Sequence, residues 1–181
     1  MAKTKIRDSG MPAEAYWESL FDVPLILDRL RVSEYTDVAE LGCGYGTFSI
    51  PVADAIDGTL YTFDVDSAMI ARTRQRRAGR RIVCEERDVM SDGFGVSADA
   101  ALLFNILHCE EPQKLLRHAV ESAPDVLVIH WRYGDTPRGP DLSIRPRPEQ
   151  IIDWAEEVGL RAATGVIDLP PWHFGLRLSR R

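Results

Sequence analysis

A chain of 181 residues, 45% apolar and 28% charged, is long enough for one globular domain with a sizeable core. Its net charge of −6 argues against broad nucleic-acid binding, which needs a basic surface to neutralise phosphates. No apolar run is long enough to span a bilayer, and the basic first ten residues lack the apolar segment of a signal peptide, so a cytoplasmic location is the default expectation. Three cysteines, Cys43, Cys84 and Cys109, are an odd number without metal-ligand spacing and read as small residues in a reducing compartment. The histidines His108, His118, His130 and His173 are scattered without paired helical spacing, so no metal site is expected.

In chain order, residues 1–10 are expected to be loosely docked. Pro12 to Arg31 reads as two helical pieces divided near Pro24. Tyr16, Trp17, Leu20 and Phe21 fall on one face of the first piece, suited either to packing on a sheet edge or to covering a ligand. Tyr35 to Leu41 reads as a buried strand and Thr47 to Ile56 as a helix, with Pro51 near its start. Between them lies Gly42-Cys43-Gly44-Tyr45-Gly46. Strand, glycine-rich turn and helix together bring backbone close to a nucleotide-like ligand. The spacing is G-x-G-x-G, not the G-x-G-x-x-G of dinucleotide binders. Glu40, at the strand's carboxyl end, suits an ammonium or sulfonium group and repels phosphate.

A second strand, Thr59 to Phe63, ends at Asp64, an acceptor suited to both hydroxyls of a ribose. The next helix follows Ser67, a candidate cap. Its arginine run from Arg72 to Arg81 reads as a solvated face with cations near the helix end, an RNA-contacting patch being the lesser alternative. A third strand, Arg81 to Glu86, leads to Asp88, and a fourth, Ala98 to Phe104, to Asn105-Ile106-Leu107-His108. A helix from Glu111 to Ser122 and a fifth strand from Asp125 to His130 complete the alternation. Residues 132–148 hold two glycines and four prolines, and a structureless stretch of that length on the ligand edge is expected to be functional. A helix from Glu149 to Val158 follows, stopped by Gly159. Leu160 to Ile167 and His173 to Leu178 are expected to form one closing hairpin around Pro170-Pro171-Trp172.

Four stations, E-L-G-C-G-Y-G-T-F at 40–48, F-D-V-D-S-A-M-I at 63–70, R-D-V at 87–89 and F-N-I-L-H at 104–108, resemble the class I S-adenosylmethionine-dependent methyltransferases. The resemblance implies an α/β, Rossmann-like, doubly wound, seven-stranded and mostly parallel sheet with a C-terminal antiparallel hairpin. It implies one domain over 1–181, with an N-terminal helical cap over 1–34 and a substrate loop over 132–148. It implies S-adenosylmethionine held by Glu40, Gly42, Gly44 and Gly46 at the methionine end, by Asp64 and Val65 at the ribose, and by Asp88 and Val89 at the adenine, with Asn105 bracing cofactor or substrate. His108 is the candidate catalytic base, since the polar residues after the fourth strand lie near the transferred methyl in the family. Tyr16, Trp17, Trp131, Trp172 and His173 are candidate substrate residues, being large, stiff and partly polar. The expected partner is a small-molecule methyl acceptor, and the oligomeric state is not legible in the sequence. The N-P-P-Y pattern of relatives that methylate amino nitrogens is absent after Phe104. Two further classes fit less of the pattern. One is a non-catalytic protein that binds the cofactor or a partner. The other is a nicotinamide-dependent oxidoreductase, which Glu40 and the glycine spacing disfavour.

Overall fold

The computed structural model describes residues 11–181, so the expectation for residues 1–10 lies outside the described residues. Five parallel strands form the centre: β1 (Val38–Leu41), β2 (Leu60–Asp64), β3 (Ile82–Glu86), β4 (Ala100–Phe104) and β5 (Asp125–Trp131). β8 (His173–Arg180) runs antiparallel beside β5, and β6 (Leu160–Ala162) and β7 (Ile167–Leu169) both pair with β8, giving the order β3-β2-β1-β4-β5-β8-β6. The apolar runs read as strands are strands because both faces of a parallel sheet are covered. Every residue of β4 is buried, and so is every residue of β5 after Asp125.

Side chains alternate across this sheet. Leu102, Phe104, Leu127, Ile129 and Trp131 face one layer, while Leu103, Val126 and Val128 face the other. The first layer holds α2 (Val23–Arg29), α3 (Ser49–Ala55) and α4 (Ser67–Arg76). The second holds the short α5 (Val89–Asp92), α6 (Pro112–Ser122) and α7 (Pro148–Glu157). Ahead of α2 lies α1 (Glu14–Glu18).

Three local expectations are corrected. The expected hairpin strand from Leu160 to Ile167 is broken: β6 pairs with Leu178–Arg180 and β7 with His173–Gly175, along one edge of β8. Ala163 to Val166 between them are exposed and supply no apolar anchor, so eight strands fill seven positions. The cap of α4 is Asp66, whose carboxylate accepts from Ala68 N at 2.8 Å, and Ser67 is the first helical residue. Pro24 sits in the first turn of α2, where its missing N–H costs nothing, and Asp22 caps that helix by accepting from Leu25 N at 3.1 Å.

Candidate functional site

β1 connects outward through β2 to β3, and β4 connects the other way to β5. The neighbours β1 and β4 therefore flank the point where winding reverses, and their carboxyl ends frame a crevice. The glycine turn fills the β1 side. Gly42, Gly44 and Gly46 adopt φ of +82°, +50° and +81°, a region that side-chained residues resist. Their Cβ directions differ in meaning. At Gly46 a Cβ would lie 3.2 Å from Thr73 Oγ1, so this glycine makes room for α4 rather than for a ligand. At Gly44 it would meet the Met11 side chain at 3.3 Å, and Tyr45 Oη donates to Pro12 O at 2.9 Å, so residues 11 and 12 roof the turn.

Asp64 ends β2 beside this turn. Its carboxylate accepts from Gly44 N at 3.1 Å and from Asp66 N at 3.0 Å, and burial raises its pKa. A carboxylate has about four acceptor positions, so Asp64 keeps capacity for a further donor. Val65 beside it is 43% exposed and open to a ligand.

Glu40 corrects the sequence reading. Alternation turns its side chain to the first layer, where it is 2% exposed and accepts from Ser49 Oγ at 2.5 Å and Thr62 Oγ1 at 2.7 Å. It ties α3 and β2 to β1 beneath the turn rather than facing a methionine group. Burial pushes its pKa up to about 7, against the two hydroxyl donors. The Cys43 thiol is likewise pushed up by burial and is no nucleophile.

Asp88 caps α5, accepting from Met90 N at 3.0 Å and Ser91 Oγ at 2.9 Å. Val89 is 1% exposed and packs beside Phe63 and Phe94, so its side chain is core and only its backbone is left for a base. Asn105 follows β4 with a left-handed φ of +58° and donates its backbone N–H to Ile129 O at 2.8 Å. Its side-chain Nδ2 and Oδ1 are buried with no hydrogen-bond partner, as is Oγ1 of Thr47, just after the glycine turn. A left-handed backbone and orphaned buried polar atoms are features that cluster at ligand positions. Ile106 closes the gap, with Cγ2 at 3.8 Å from the position a Cβ on Gly42 would take.

His108 Nδ1 lies 3.3 Å from Nε2 of His130, which is fully buried and held near pKa 3, chiefly by burial. His108 also lines a cavity of about 520 Å³ with Leu107, Ile144, Arg145, Gln150 and Trp154, between the β4 end, the 132–148 segment and α7. The other substrate candidates divide. Tyr16 is 45% exposed, whereas Trp17 and Trp172 pack half-buried on the first-layer core. Trp131 and His173 are buried among rings, their centroids 4.2 Å apart.

The arginine run is a solvated face, with Arg74, Arg77 and Arg81 exposed, whose members also make internal contacts. Arg72 and Arg76 pair with Glu14 of α1, Arg76 also binds Glu18 and Tyr45 O, and Arg80 pairs with Asp54. Arg74 donates to Cys84 O and Arg77 to Ile82 O. Hydrogen bonds and ion pairs thus engage part of the run internally. The sequence did carry a signal for this latch: acids at 14 and 18 and bases at 72 and 76 share the four-residue helical spacing. Arg145, by contrast, is buried within the 132–148 segment. It is 7% exposed and donates to Pro140 O, Arg132 O, Gly134 O and Thr136 Oγ1, stapling the 132–148 segment from inside.

Residues 38–127 match a family of methyltransferase domains. The fold superposes on an S-adenosylmethionine-dependent methyltransferase from Aquifex aeolicus with a TM-score of 0.79 at 18% identity, over 93% of this chain and 94% of that one. It also superposes on the S-adenosylmethionine-bound magnesium protoporphyrin IX methyltransferase of Synechocystis PCC 6803, with a TM-score of 0.66 at 18% identity, over 88% and 76%. The methyltransferase SibL matches with a TM-score of 0.74 at 21% identity, over 92% and 56%. None of the curated proteins compared matches the sequence. The chain belongs to the class I S-adenosylmethionine-dependent methyltransferases. Its cofactor is S-adenosylmethionine, whose sulfonium carries the activated methyl. The residues at the crevice fit that cofactor: a positive-φ glycine turn and a carboxylate with spare acceptor capacity follow β1 and β2, and orphaned polar atoms lie on Thr47 after the turn and on Asn105 after β4.

Proposed function

We propose that this methyltransferase acts on a small molecule. In this reading Gly42 and Gly44 cradle the cofactor backbone, Asp64 and Val65 hold its ribose end, and Asp88 and Val89 offer backbone and cap groups to the adenine. Thr47 and Asn105 brace the methionine end, and His108 stands toward the acceptor. The described part of the N-terminal cap, residues 11–34, and the 132–148 segment of the same domain shape the acceptor's entrance. The observation that carries the cofactor placement is the set of partnerless polar atoms on Thr47 and Asn105 beside the glycine turn. The small-molecule reading is supported by the net charge of −6 and by the pairing of Arg72 and Arg76 with Glu14 and of Arg80 with Asp54, which offsets part of the basic run. It is further supported by folds such as those of the mitomycin 7-O-methyltransferase and the magnesium protoporphyrin IX methyltransferase, whose acceptors are small molecules. The reading keeps the protein in the cytoplasm, in keeping with the buried thiols Cys43 and Cys84 and with the lack, among the described residues, of a helix able to cross a membrane.

Calorimetric titration with S-adenosylhomocysteine tests the site. The wild type should bind, Asp64→Ala should lose about 1–3 kcal/mol through a buried hydroxyl left without its acceptor, and Gly44→Val should abolish binding. Unchanged affinity in both variants would move the cofactor elsewhere.

A further inference from the structure

An open sheet ends in outer strands, each with a row of backbone groups that no neighbouring strand takes up. At one end of this sheet the outer strands are β6 and β7, three residues each, parted by the exposed Ala163 to Val166. At the other end lies β3, five residues long and unbroken. The bonds at the two ends of the β2–β3 ladder fix which groups of β3 face outward. Leu60 N donates to Arg81 O at 2.9 Å and Arg87 N to Asp64 O at 2.9 Å, with Leu60 opposite Ile82 and Asp64 opposite Glu86. Parallel pairing uses alternate residues of a strand, so Arg81, Val83, Glu85 and Arg87 bond inward to β2. The backbone groups of Ile82, Cys84 and Glu86 therefore point out of the sheet.

Two arginines cover this row. Arg74 of α4 donates through Nη2 to Cys84 O at 2.7 Å, and Arg77, at the C-cap of the same helix, donates through Nη1 to Ile82 O at 3.3 Å. Ile82 N turns back to Arg80 O at 3.0 Å. Both arginines are exposed, so each places a charged donor on a carbonyl that water could otherwise have served. What they cover is self-complementary. In an antiparallel pair centred on Cys84, Cys84 would exchange both its bonds with its counterpart in a second copy, and Glu86 N would donate to the counterpart of Ile82 O. Two-fold pairing of this kind is what a symmetric dimer requires. Val83, 47% exposed, leaves β-branched apolar surface beside the same edge.

We propose that Arg74 and Arg77 hold the β3 edge closed, and that the partner they keep out is a second copy of this chain adding its own β3 antiparallel about Cys84. A guanidinium on an outward carbonyl takes the acceptor that an incoming N–H needs, and it sets a charge that the incoming strand would have to displace. With both carbonyls taken and Ile82 N turned back, a strand arriving at Cys84 finds no acceptor before Glu86 and would leave its own donors unpaired. The opposite end of the sheet is protected differently, because two three-residue strands offer too short a ladder. Nothing in this arrangement depends on which acceptor the crevice takes.

Sedimentation velocity of the full chain over a series of rising concentrations tests this. Arg74→Gln/Arg77→Gln keeps two polar side chains that are too short to reach the strand. Both positions are exposed, so this variant should show the circular dichroism of the wild type and melt within a few degrees of it. As concentration rises it should form a species of about twice the mass that the wild type shows under the same conditions. Adding Val83→Lys, which sets a charge beside the edge, should return it to the wild-type mass. A glutamine variant that keeps the wild-type mass at every concentration overturns the proposal. So does an association that Val83→Lys leaves untouched, since it would run through another surface. A wild type that itself doubles in mass, and is returned to the lower mass by Val83→Lys alone, is already paired through β3 and overturns the proposal without the glutamine variant. A glutamine variant that melts far below the wild type would show the two arginines to be fastenings of the fold, and it too overturns the proposal.

Discussion

At the scale of single residues, Glu40 shows how a motif position can serve the fold beneath a site. Its carboxyl is buried between Ser49 and Thr62, and its folded pKa of about 7 lies above the ordinary 4.5. Between those values the folded state holds a proton that the unfolded chain has released. The stability this group contributes is therefore complete below pH 4.5 and lost as pH rises through 7. Glu40→Gln keeps the shape and removes the titration. Urea unfolding should show the variant gaining on the wild type by about 3 kcal/mol between pH 4.5 and 8, since each pKa unit corresponds to about 1.4 kcal/mol. A gap that stays constant with pH would mean that the Glu40 carboxyl does not change protonation on folding.

At the scale of elements, α1 and the 132–148 segment differ in how they are held. α1 is attached by rim ion pairs and by the edges of Trp17 and neighbouring rings, while the segment is stapled by four acceptors around the Arg145 guanidinium. Such partly exposed pairs weaken with salt, whereas the Arg145 staple is buried, so α1 is the readier element to move over the crevice. Arg76→Gln removes the contacts to Glu14, Glu18 and Tyr45 O together. Hydrogen exchange of residues 13–21 should then quicken several-fold in the ligand-free protein, and S-adenosylhomocysteine should slow it in the wild type. Residues 132–148 should change less. Ligand protection confined to residues 40–108 would show α1 to be fixed packing and not a moving cover.

At the scale of the whole molecule, three buried titrating groups link stability to pH in opposite directions. His130 and His173 are held near pKa 3 by burial, well below the ordinary 6.5. Each gains a proton on unfolding once pH falls below 6.5, so the stability they contribute is complete above that value and lost as pH falls towards 3. Glu40 acts the other way between 4.5 and 7. From pH 6.5 to 4.5 these groups together give a net uptake of about one proton on unfolding, and below 4.5 about two. The unfolding free energy should therefore fall with acid, and more steeply below pH 4.5. A stability that rises between pH 6.5 and 4.5 would mean that the raised carboxyls Glu40 and Asp64 outweigh the histidines.

Much of this architecture was legible in the residue pattern, because the rules involved are local. Parallel strands covered on both faces read as unbroken apolar runs, which is why β2 to β5 fall within a residue or two of the runs that announced them. Glycine at 42, 44 and 46 and aspartate at 64 declared a crevice because turn geometry and strand-end chemistry are written in adjacent residues. The break between β6 and β7 depended on what lies opposite β8 and left only the weak mark of Thr164-Gly165. The direction of Glu40 depended on which layer α3 occupies. The partners of Arg72 and Arg76 lie some 58 residues away on α1, and the orphaned nitrogens of His173 appear only when β8 docks beside β5 under Phe21. Periodicity and turn chemistry, which act within a few bonds, were determined by the sequence alone. Burial, charge pairing and the loss of hydrogen-bond partners were decided by the tertiary structure, because each depends on groups brought together from distant parts of the chain.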